Sequence, residues 1–81
     1  MKISVQAGSR QSHQQIIEIL EAYEPVKYSY LGPDRMNPIS VNFETDAEEK
    51  VAIGTATKLI KAKFGRSLSF RVVPMGSVVY Y

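Results

Sequence analysis

The sequence predicts an α+β fold in which a four-stranded antiparallel sheet carries two helices on one face. Three observations predict it. Two successive stretches each read strand, helix, strand: residues 1–7, 12–24 and 26–31, then 39–45, 46–64 and 68–73. The strand stretches alternate apolar and polar residues, so each has a dry and a wet side. The helical stretches each carry one apolar stripe, which can be buried only against a sheet.

In residues 1–7, Ile3, Val5 and Ala7 point one way and Lys2, Ser4 and Gln6 the other. Gly8-Ser9 breaks the strand. Ser12, followed three residues later by Gln15, reads as a capping box and predicts a helix start within residues 11–13. The stripe of that helix is Ile16, Ile19, Leu20 and Tyr23, with Ile17 at its edge, and Pro25 stops it. In the next strand Val26, Tyr28 and Tyr30 alternate with Lys27 and Ser29, and both tyrosines are expected under a helix. Gly32-Pro33-Asp34 and Asn37-Pro38 are turn signals. Ile39, Val41 and Phe43 then alternate with Ser40, Asn42 and Glu44, the clearest strand of the chain.

Thr45 with Glu48, and Asp46 with Glu49, signal the start of the second helix. Its stripe is Ala52, Ile53, Ala56, Leu59, Ile60 and Phe64, with Gly54 on the exposed side and Gly65 placed to cap the end. Acidic residues at its start and Lys58, Lys61 and Lys63 at its end suit the helix dipole. Leu68, Phe70 and Val72 alternate with Ser69, Arg71 and Val73. Residues 74–77 read as a turn, and Val78, Val79, Tyr80 and Tyr81 as a short fifth strand.

Right-handed crossovers interleave the two units as a ferredoxin-like α/β plait, βαββαβ, with the first and third strands central. The second and fourth strands are then edges, with the C-terminal segment beside the fourth. The helix-free face would carry Lys2, Ser4, Gln6, Ser40, Asn42, Glu44, Ser69 and Arg71. The two helices are expected to run in roughly the same direction. That would set the acidic end of the first (Glu18, Glu21, Glu24) beside the basic end of the second.

At 81 residues the chain is one domain, residues 1–81, with a modest core. Without cysteine it has no disulfide, thiol chemistry or cysteine metal site. No apolar run approaches the roughly 20 residues that span a bilayer. Met1 leads straight into a strand pattern, so no leader is expected and the cytoplasm is the expected compartment. The net charge of +2 does not by itself imply nucleic acid.

The candidate sites are few. Gly8-Ser9-Arg10 lies between a strand and a helix start, where backbone N–H groups and Arg10 would suit an anion; the plain alternative is a turn and a solvated arginine. Val5-Gln6 followed by Gly8 and Arg10 resembles the arginine-bearing loop of acylphosphatases, a family of similar fold. The resemblance covers this loop only, with the arginine displaced by one position and no counterpart of the family's asparagine motif; it implies a small phosphatase-like enzyme. His13 is the only histidine and is expected to be exposed in the first helical turn. Lys50, Lys58 and Lys61 share one helix face, with Lys63 and Arg66 at its end, which suits either phosphate contact or solvent. The helix-free sheet face has none of the aromatics that an RNA-stacking sheet needs. Arg35 and Met36 sit in a loop between two proline-bearing turns, a position suited to recognition. Val78, Val79, Tyr80 and Tyr81 are costly to leave in water and are expected to pair, at home or with another chain.

These readings add up to a non-catalytic interaction module that associates with a protein partner or a second copy through a sheet edge or its C-terminal segment. A nucleic-acid or anionic-ligand binder using Arg10 and the basic second helix is the alternative. No cofactor, metal or membrane is expected.

Overall fold

The computed structural model describes residues 1–35 and 37–74. Six elements follow one another: β1 (Lys2–Ala7), α1 (Arg10–Ala22), β2 (Tyr28–Pro33), β3 (Ser40–Thr45), α2 (Glu49–Phe64) and β4 (Phe70–Pro74). The strands form one antiparallel sheet in the order β2-β3-β1-β4. This is the expected plait, with β1 and β3 central and β2 and β4 at the edges.

The alternation in the sequence becomes the two faces of the sheet. Ile3, Val5 and Ala7 of β1 lie beside Val41 and Phe43 of β3 and Val72 of β4, all buried under the helices. From α1 the core takes Ile16 and Leu20, and from α2 Ala52, Ala56 and Ile60. The i, i+4, i+8 spacing of Ala52, Ala56 and Ile60 sets two methyl groups and one large side chain in line, which lets α2 approach the sheet closely. Phe43 is fully buried at the centre. Tyr28 meets it edge-on, with ring centroids 6.5 Å apart, and donates its hydroxyl hydrogen to the Ala52 carbonyl at 2.7 Å.

Several expectations are corrected. Helix α1 starts at Arg10, with Ser9 at the N-cap and no side-chain cap bond. The Ser12 hydroxyl instead turns back and donates to the Ser9 carbonyl at 2.6 Å, so the capping box does not form. Helix α2 starts at Glu49 rather than Asp46, because the Thr45 hydroxyl accepts the Ala47 N–H at 3.3 Å and holds a turn there. Strand β2 begins two residues later than expected and runs through Gly32 and Pro33. A bulge between Tyr30 and Gly32 makes this possible, and Gly32 takes a φ of 122° that favours glycine. Tyr30 is 36% exposed, because it lies on the edge strand, where its ring meets Phe43 at a tilt with centroids 5.7 Å apart. Strand β4 includes Pro74, an edge position that needs no N–H.

The two helices are antiparallel, not parallel as expected. Each helix runs back along the strand before it, and β1 and β3 are themselves antiparallel, so the helices must oppose. The C-terminal end of α2 (Phe64, Ser67, Leu68) therefore shares a cleft with the N-terminal end of α1 (Ser9, Ser12, Gln15). The acidic end of α1 does not neighbour the basic end of α2. The fifth strand expected at residues 78–81 lies outside the described residues.

Candidate functional site

Backbone hydrogen bonds decide which way each edge of the sheet faces. The Ala7 N–H donates to Ile39 O at 2.9 Å and the Thr45 N–H to Met1 O at 2.8 Å. The odd-numbered residues of β1 thus bond to β3, and Ser4 and Gln6 bond to β4 opposite Val73 and Arg71. Phe70 and Val72 consequently turn their N–H and C=O groups to the outer side of β4. Among the described residues no strand pairs with that side.

The opposite edge is closed. By the same alternation Tyr28 and Tyr30 turn their backbone groups outward from β2. The Tyr30 N–H is taken by the Glu21 carboxylate of α1 at 3.0 Å. One residue on, the Leu31 bulge breaks the regular edge, and Pro33 has no N–H. A side-chain cap, a bulge and a proline are three devices that block strand addition. No local pattern signals the Glu21 cap, since Glu21 and Tyr30 meet only once β2 lies beside α1.

The helix-free face differs from the open polar surface that was expected. Ser4, Ser40 and Asn42 are buried on it, and the Ser4 hydroxyl donates to Asn42 Oδ1 at 2.5 Å. These side chains are short, sit on the two central strands and are flanked by Lys2, Gln6, Glu44 and Arg71. The Ser40 hydroxyl is buried and has no hydrogen-bond partner among the described residues.

The charged residues separate by the ends of the sheet. At the end where β1 stops, α1 starts, α2 stops and β4 starts, Arg10 is the exposed first residue of α1. Lys58, Lys61 and Lys63 occupy the second half of α2 and Arg66 follows it, all exposed. Arg35 is exposed in the loop between β2 and β3, and Arg71 is the second residue of β4. Seven of the ten cations, including every arginine, are gathered here with a single carboxylate, Asp34, a formal +6. At the other end are Glu18, Glu21 and Glu24 of α1 and its exit, and Glu44, Asp46, Glu48 and Glu49 around the passage from β3 to α2. With Lys2, Lys27 and Lys50 they make a formal −4, and the two ends together give the chain's +2. Lys50 is thus separated from the cations with which it was grouped. Arg71, read only as a sheet-face residue, joins them because β4 enters the sheet at this end.

Two clefts open at the cationic end. One of about 430 Å³ is lined by Gln6, Gly8, Ile39, Ser69, Phe70 and Arg71. The other, about 200 Å³, lies between the two helix ends and is walled by serine and glutamine together with Phe64 and Leu68. No carboxylate lines either.

Ser12 and His13 both make structural hydrogen bonds. His13 is half-buried rather than exposed, and its Nε2 lies 3.0 Å from the Ala7 carbonyl, to which it donates. That bond ties the first turn of α1 to the end of β1. The Ser12 hydroxyl is bonded to Ser9, not to His13. Among the described residues, no three His, Asp or Glu side chains converge as metal ligands, and no helix is long and apolar enough to cross a membrane. Met36, Val78, Val79, Tyr80 and Tyr81 lie outside the described residues. No family model matches the chain, and neither a curated protein nor a solved structure shows significant similarity to it.

Proposed function

We propose that this chain is a non-catalytic interaction module that self-associates through the outer edge of β4, with residues 78–81 contributing to the contact. The observation that carries this reading is the inequality of the two sheet edges. Each edge carries a proline, Pro33 on β2 and Pro74 on β4, but β2 alone adds the Glu21 cap and a bulge, while Phe70 and Val72 leave backbone groups directed outward on β4. An unblocked edge of this kind gains main-chain hydrogen bonds when a second strand joins it. The Val-Val-Tyr-Tyr sequence at residues 78–81 is strand-forming and carries no charge to oppose such pairing. A chain without cysteine needs no oxidising compartment to fold, and we place the module in the cytoplasm.

The test compares the mass in solution of the full chain with that of a chain lacking residues 78–81. The full chain is expected to be a dimer, and the shortened chain a folded monomer with unchanged helical circular dichroism. A shortened chain that remains dimeric would exclude residues 78–81 from the contact, and a full chain that stays monomeric would overturn the reading.

A further inference from the structure

We propose that the cationic end of the domain binds the phosphate backbone of a nucleic acid, independently of base sequence. The site goes beyond self-association at β4 and does not require it. Four arginines and three lysines share this end with one carboxylate, while seven carboxylates are held at the other. Helix α2 alone sets roughly 24 Å between its two ends, at 1.5 Å per residue. The Debye length at physiological salt is about 8 Å. A ligand at the cationic end therefore meets a field of about +6, with little opposition from the far carboxylates and little relation to the small net charge.

The chemistry of the surface selects phosphate. Arg10, Arg66 and Arg71 present planar forks that match phosphate oxygens, and no ion pair occupies them among the described residues. The clefts between them offer serine and glutamine groups to the sugar–phosphate chain and no carboxylate to repel it. Phe64 and Phe70 are half-buried at the cleft walls, where contact with a base would not depend on its identity, and the cations face the backbone, so sequence independence follows. The concave end, with Ile39 its one exposed large apolar side chain among the described residues, suits a threaded strand better than a flat bilayer. A second copy of this chain, offering its acidic end, is the competing occupant that the test must separate.

The experiment follows the anisotropy of a fluorescein-labelled 20-nucleotide single strand and of a 20-base-pair duplex at 50 and 200 mM NaCl. Two variants reverse charge at the cationic end, Lys61→Glu/Lys63→Glu and Arg66→Glu/Arg71→Glu. A third, Lys27→Glu/Lys50→Glu, makes the same change in net charge at the other end. The wild type is expected to bind both oligonucleotides, and to weaken by at least about tenfold between the two salt concentrations. Each cationic-end variant should lose about tenfold or more in affinity at 50 mM salt, and the third less than about threefold. Equal losses in all three variants would overturn the proposal by reducing it to net charge, and so would absence of binding at 50 mM salt. Binding to phosphatidylserine vesicles without binding to oligonucleotide would also overturn it. So would low-salt growth in mass, without nucleic acid, that the cationic-end variants abolish, since that would assign the surface to a second copy.

Discussion

Tyr28 shows how one residue ties the sheet to a helix and leaves a measurable signature. Its ring is buried against Phe43 and its hydroxyl reaches the Ala52 carbonyl. Burial pushes its pKa up from 10.0 to about 12. The fold therefore favours the protonated hydroxyl. Its contribution is fully present below pH 10 and is lost as pH rises from 10 to 12, amounting to at most about 2–3 kcal/mol. Melting temperature should fall across that window. In Tyr28→Phe the part of this fall that belongs to Tyr28 should vanish, with a loss of about 1 kcal/mol at neutral pH from the missing bond. Thermal melts of both proteins at pH 8 and 11 check both statements. The burial of Tyr28 was legible in the alternation of its strand, but the different exposure of Tyr30 was not. The two residues share a face, and only the edge position of β2 and the reach of the helices separate them.

At the scale of elements, the apolar periodicities read directly as structure, because burial of these stripes is what makes the elements stable. Ile16 and Leu20, Ala52, Ala56 and Ile60, and Ile3 and Val5 all fall where their spacing requires. The boundaries were less legible. Ser12 and Thr45 have the side chains of capping residues, yet both bond locally in ways the helices do not extend. The turn signal of Gly32-Pro33 was absorbed into β2 by a bulge, which a count of turn residues does not reveal. Gly54 is exposed in mid-helix, and a Cβ built there meets nothing within 4 Å. Gly54→Ala should stabilise the protein by about 1 kcal/mol, read as a higher denaturant midpoint with an unchanged slope. A lower midpoint would mean that another surface lies against that face of α2.

For the molecule as a whole, topology creates properties that no segment has alone. The order β2-β3-β1-β4 places two unlike edges at the margins of the sheet, and Glu21 reaches Tyr30 to help close one of them only because α1 lies beside β2. Antiparallel helices sort the charges to opposite ends, whereas the parallel arrangement expected from the sequence would have mixed them. Arg71 and Arg10, 61 positions apart in the chain, reach the same end only because β4 enters the sheet where α1 begins. The basic residues were therefore visible in the sequence, but their gathering at one end was not. The proposed self-association rests on the outer side of β4, with which no strand pairs among the described residues. The most direct measurement is the chain's mass by light scattering from micromolar to millimolar concentration, in 50 and 500 mM NaCl. A dimer that persists at high salt is the predicted result, since main-chain pairing and apolar contact are not screened. A monomer at every concentration and both salt strengths would rule out self-association through β4.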